Sequence, residues 1–124
     1  MGNKKVFSSI GLLPKEEMLE VKPDFMQLII GVPKESSFQE NRVSLTPDSV
    51  GLLVANGHTI VIEKGAGESS SFTDKEYSEN GADIVYSKEE VFKSDLILKI
   101  EPPTKSEIKL MRSHQTLISA VQMS

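Results

Sequence analysis

Residues 28–47 read LIIGVPKESSFQENRVSLTP, and they set the fold. Leu28, Ile29 and Ile30 open a short apolar run that breaks at Gly31 and Pro33. A polar loop of about a dozen residues follows, carrying Glu35, Glu40, Asn41 and Arg42. It closes on Thr46 and Pro47, a cap followed by a residue suited to the first helical position. The order is strand, long loop, helix. In open α/β sheets, ligands sit outside the carboxyl ends of the strands, and a long loop there is more often functional than a spacer.

The same alternation runs on from this stretch. Apolar runs at 28–32, 59–63, 83–86, 96–100 and 116–121 are rich in Ile, Val and Leu, as strands buried on both faces are. A helix is expected over 47–56. There Val50, Leu53 and Val54 fall at i, i+3 and i+4, and Gly57 stands where a left-handed stop is wanted. Three capping boxes announce further helices: Thr73 with Glu76, Ser87 with Glu90, and Thr104 with Glu107. In each, the hydroxyl accepts from the N–H three residues on and the glutamate reaches back to the cap N–H. The expected fold class is therefore a three-layer α/β domain, flavodoxin-like or Rossmann-like. Its parallel sheet of about five strands carries helices on both faces. Strand order 2-1-3-4-5 is favoured because it suits five strands.

The chain's 124 residues suit one domain. Residues 1–26 read as an N-terminal extension, in which Pro14 can open a short helix and Leu12, Leu13, Met18 and Leu19 can cover a partner. Residues 27–124 form the domain. The last predicted strand runs almost to Ser124 with no helix to cover it, so the domain is expected to be the first part of a longer chain. A formal net charge of −4 argues against a nucleic-acid partner. With no cysteine, disulfides, thiolate metal sites and cysteine nucleophiles are excluded. His58 and His114 are far apart, so no metal site is expected. No apolar run is long enough for a membrane span, and no signal peptide is evident; a cytoplasmic protein is expected.

The polar residues of interest all follow strands. Arg42 lies after the first, Lys99 and Glu101 at the end of the fourth, and Gln122 at the end of the fifth. In a parallel sheet these ends converge. Arg42 carries the fork that grips a carboxylate or phosphate; the alternative is that it pairs with Glu40 or Glu35 and braces its loop. Lys99 can supply a point charge to the same ligand. Gly65 and Gly67 lack the third glycine of a dinucleotide fingerprint, since position 70 is serine, and a plain turn is expected there.

These motifs resemble the N-terminal domain shared by alanine dehydrogenases and the NAD-binding subunit of proton-translocating NAD(P) transhydrogenases. The resemblance is carried by GVPKE at 31–35, ENRV at 40–43, Thr46-Pro47, ANGH at 55–58 and VIEKGAG at 61–67. Phe72, Thr73, Asp74, Tyr77, GADIV at 81–85, DLILK at 95–99 and Pro103 extend it. It implies a two-domain oxidoreductase whose second, Rossmann domain holds NAD(H). The fingerprint of that domain is missing here, so no cofactor-binding residue is expected in this chain and NAD(H) or NADP(H) should not bind it tightly.

By the resemblance, Arg42 matches the arginine that contacts the pyruvate carboxylate in alanine dehydrogenases. Two other family residues do not carry over. The substrate-touching lysine after strand 4 is Glu101 here, and the catalytic histidine after strand 5 is Gln122. No catalytic residue is therefore assigned. Transhydrogenase subunits also lack that lysine and histidine, and direct hydride transfer between nicotinamides needs positioning and no protein acid or base. The favoured expectation is a transhydrogenase-type domain passing hydride between NAD(H) and NADP(H), inactive as a fragment. The implied partners are a nicotinamide nucleotide or small substrate, the missing Rossmann domain, a membrane transhydrogenase subunit and further copies in a homo-oligomer. The alternatives are an alanine dehydrogenase-like amino-acid oxidoreductase and a non-catalytic binding module of the same fold.

Overall fold

The computed structural model describes residues 27–36 and 42–120. The elements alternate as expected: β1 Ile29–Val32, α1 Pro47–Ala55, β2 Thr59–Glu63, α2 Asp74–Glu79, β3 Asp83–Val85, α3 Lys88–Val91, β4 Leu96–Lys99, α4 Lys105–Leu110 and β5 Thr116–Ser119, with a 3-10 turn at Glu68–Ser70. All four strand pairings are parallel. The extension over 1–26, the loop tip at 37–41 and Gln122 lie outside the described residues.

The strand order corrects the expectation. It is β3-β2-β1-β4-β5, not 2-1-3-4-5. Burial gives the reason. The long apolar strand β2 has Ile60 and Ile62 fully buried and takes an inner position. The three-residue β3 begins on the exposed Asp83 and takes an edge. Placing Asp83–Val85 in the middle of the sheet would bury an unpaired carboxylate and expose two isoleucines, which is unfavourable on both counts.

This order reverses the direction of travel between β1 and β4. Right-handed crossovers then put α1 and α2 on one face and α3 and α4 on the other. The two cores agree. Ile30, Val32, Ile60 and Ile62 pack with Val50 of α1 and Tyr77 of α2. Ile97 packs with Val91 and Phe92, and Leu110 and Met111 close over them. Gly31 lets the second layer approach. A Cβ there would stand 2.5 Å from Ser94 Oγ and 2.7 Å from the Val91 carbonyl, so only glycine allows the end of α3 to lie against β1.

The helix starts follow the sequence with one difference. Thr46 caps α1 by accepting from the Ser49 N–H at 3.2 Å, with Pro47 first in the helix, and Gly57 takes φ +96° just past its end. The boxes at Thr73 and Thr104 both close. The third is half formed. Ser87 accepts from the Glu90 N–H, but the Glu90 carboxylate reaches the Tyr86 N–H at 3.3 Å rather than that of Ser87.

Candidate active-site rim

The reversal in strand order opens a crevice outside the carboxyl ends of β1 and β4, where ligands bind in sheets of this kind. Two loops meet there: the one after β1, described at 33–36 and 42–46, and 100–104 after β4. Glu35 joins them. Its Oε1 accepts from Lys99 Nζ at 2.9 Å and from the Glu101 N–H at 3.3 Å, and its Oε2 accepts from the Ile100 N–H at 2.8 Å.

Lys99 alternates with Leu98 along β4 and shares the face of Ile97, toward α3 and α4. Its side chain is 1% exposed, and its ammonium also lies 3.5 Å from Glu107 Oε1 on α4. Lys88 of α3 extends the cluster, 3.2 Å from Glu107 Oε2 and 3.1 Å from Glu63 Oε1. Lys88 and Glu63 thus hold the root of the β1 loop: Lys88 Nζ donates to the Lys34 carbonyl at 2.6 Å and the Lys34 N–H donates to Glu63 Oε1 at 2.8 Å. Burial alone would push the Glu107 carboxyl up. The Thr104 N–H it accepts from, and the Lys99 and Lys88 ammonium groups, outweigh burial and hold it below the usual carboxylate range.

The far end of the β1 loop is tied as well. Ser44 Oγ donates to the Leu98 carbonyl at 3.1 Å, and the Tyr77 hydroxyl donates to the Leu45 carbonyl at 2.6 Å. Arg42, exposed, is carried two residues before that anchor. Of the expected rim residues, then, Lys99 and Glu101 meet on Glu35, Arg42 lies on the loop that Glu35 roots, and Gln122 is outside the described residues. Lys99 is at the rim, but its charge faces inward; a direct grip on substrate requires its pair with Glu35 to open.

Glu35, Lys88 and Glu107 were not singled out as site residues from the sequence. A signal exists for the two glutamates: a lysine on the inner face of a central strand is almost never buried without a carboxylate partner, and Glu107 stands in the first turn of the next helix.

The glycine turn after β2 does not fit a pyrophosphate. A Cβ on Gly67 would meet the Tyr77 ring at 2.6 Å and Phe72 at 3.0 Å, so protein already fills that space, and Gly65, at φ +81°, serves the turn. A cleft of about 420 Å³ between the start of α1 and α2 is lined by Thr46, Pro47, Asp48, Phe72, Glu76, Glu79 and Asn80. It gathers carboxylates without a cation, which disqualifies it for an anionic nucleotide. Among the described residues, no three His, Asp or Glu side chains group to hold a metal ion, and no helix is long and apolar enough to cross a membrane.

The pattern of the family "Alanine dehydrogenase/PNT, N-terminal domain" matches residues 31–124. The chain belongs to this family. Alanine dehydrogenases from Methanococcus maripaludis and Staphylococcus saprophyticus are 43% and 40% identical over 98 and 97 residues, 78% of this chain and 26% of each relative. Among solved structures, an L-alanine dehydrogenase superposes with TM-score 0.67 at 41% identity, covering 72% of this chain and 25% of that one. A transhydrogenase from Sinorhizobium meliloti superposes with TM-score 0.69 at 35% identity, covering 73% and 27%. The chain therefore spans about a quarter of the length of the relatives it matches. The alanine dehydrogenase/PNT family is a family of oxidoreductases, and its fold is the one described above.

Proposed function

We propose that this domain forms one wall of the cleft in a transhydrogenase-type oxidoreductase, where hydride passes between NAD(H) and NADP(H). The observation that carries this reading is the chemistry at the exit of β4. Glu101 stands where the resemblance puts a substrate-touching lysine, and the neighbouring cation, Lys99, is engaged with Glu35 at 2.9 Å. An amino-acid oxidoreductase must neutralise a substrate carboxylate and move a proton on its amine. A glutamate at that position opposes the first task, and Gln122 in place of a histidine cannot do the second. Hydride transfer between two nicotinamides asks for neither, only for alignment.

In this reading Arg42 meets the anionic part of the substrate, and Lys99 acts through Glu35. The nucleotide is held on a separate Rossmann domain; assembly into homo-oligomers and coupling to a membrane subunit belong to the same reading. A second reading, an alanine dehydrogenase-like enzyme, is favoured by the identities, which run from 36% to 43% for the alanine dehydrogenases.

The test uses the full natural protein that carries this domain. NADH oxidation is followed with an NADP analogue as acceptor, and separately with pyruvate plus ammonium. The expected result is turnover with the nucleotide and none with pyruvate. Turnover dependent on pyruvate and ammonium would replace this reading with the second.

A further inference from the structure

Two successive backbone N–H groups, those of Ile100 and Glu101, converge on a single carboxylate, and the Lys99 ammonium joins them. Consecutive amides aimed at one point, with a cation beside them, are how proteins build anion sites. Here the anion is the chain's own Glu35, whose side chain is 6% exposed. The donors come from the exit of β4 and the carboxylate from the loop after β1, the two strands that flank the crevice.

We infer that the exit of β4 is a carboxylate-binding site whose resident ligand is Glu35, and that Glu35 is thereby a positioning residue. It sets the loop carrying Arg42 against the turn carrying Glu101. The inference rests on the proposed function for the reaction served, while the anion site stands on its own geometry. The site is built as a fixed joint. Lys34, one residue earlier, is tied through its N–H to Glu63 and through its carbonyl to Lys88, so residues 34 and 35 are held from β2, α3 and β4 together. A joint fixed from three elements holds the root of the β1 loop against the turn carrying Glu101, and small displacements of substrate-binding groups are costly to rate.

Two measurements test it. The first follows backbone amides by NMR in the 124-residue chain, its Glu35→Ala variant and its Glu35→Gln variant, each titrated with sodium formate as the smallest carboxylate. In Glu35→Ala the Ile100 and Glu101 resonances are expected to move upfield and to return, saturably, with formate but not with chloride. Wild type should not respond. Formate that leaves those two amides unmoved overturns the anion site. Should Glu35→Ala fail to fold, Glu35→Gln decides: both amides are expected to shift, and unshifted amides overturn the site.

The second is steady-state hydride transfer in the full natural protein, with whichever acceptor the wild type reduces. Glu35→Ala is expected to lower kcat/KM roughly 100-fold, with partial recovery in formate. A variant with lowered Tm but kcat/KM per folded molecule within about twofold of wild type shows a brace and overturns the positioning role. A wild type that reduces pyruvate overturns the proposed function and leaves both outcomes for Glu35 readable.

Discussion

At the scale of single residues, Glu107 ties the stability of this fold to pH. Its side chain is 1% exposed and sits between two ammonium groups. Because the folded state holds its carboxyl below the ordinary value of 4.5, the folded chain binds fewer protons there than the unfolded chain as pH falls past that value. The stabilisation is complete above 4.5 and drains away as pH drops through the lowered folded value. Glu107→Gln keeps the shape and removes the charge, leaving Lys99 and Lys88 with one partner fewer. It is expected to cost about 3 kcal/mol near neutrality and to flatten the acid limb. Urea midpoints for the two chains across the acid range check this; parallel acid limbs would assign the lability elsewhere. The role of Glu107 was only half legible. Its place in the Thr104 box could be read from spacing, since that bond spans three residues. Its pairing with Lys99 depends on which strand lies beside which helix, and no local pattern encodes that. Tyr77 shows the same division. Its position in the helix opened by the Thr73 box could be read from spacing, but its hydroxyl, pushed up to about 12 by burial and by Glu76 and Asp74, finds the Leu45 carbonyl 32 residues back in the sequence, on the same face of the sheet.

At the scale of elements, the caps and runs placed the α-helices and strands of the described residues, because each depends on residues within one turn or one pleat of itself. Ser87 shows the limit: its glutamate had a competing N–H one residue back, and spacing alone could not choose. Strand order was misread for a related reason. All five runs looked apolar enough for the interior, and the shortness of the run at Asp83 was the clue to an edge. The reversed order makes α3 cross behind β1, and Gly31 is the residue that permits it. Its backbone is of a kind any residue can adopt, so the demand is for space alone. Gly31→Ala must displace Ser94 and the end of α3, overpacking worth about 1–3 kcal/mol. The measurement is a denaturant midpoint beside that of Gly31→Ala combined with Ser94→Ala. Removing the Ser94 hydroxyl should recover part of the loss, since it is the nearest atom a methyl would meet. No recovery would mean that the Val91 carbonyl sets the limit.

At the scale of the whole molecule, the switch point between β1 and β4 is what makes scattered residues into a site. Glu35 and Lys99 stand 64 positions apart in sequence and 2.9 Å apart in space, and the parallel sheet with its reversal is what joins them. The gathering at one rim was readable as soon as the strands were taken to be parallel; the inward turn of Lys99 was not, because it needs the buried face of β4 to be known. The same architecture limits what this domain can hold. A pyrophosphate needs bare backbone at a helix start. Among the described residues, the glycines that might give it are occupied: Gly31 by Ser94, Gly67 by Tyr77 and Phe72. The two loops of the crevice offer a carboxylate-filled anion site and no glycine turn. The 124-residue chain on its own is therefore expected to bind NADH too weakly to measure by calorimetry at ordinary protein concentrations. If the proposed function holds, joining the chain to the Rossmann domain that this reading calls for should bring affinity with it. A micromolar isotherm with the chain alone would show that the crevice between β1 and β4 accepts the dinucleotide directly, and that Glu35 gives way to its phosphates.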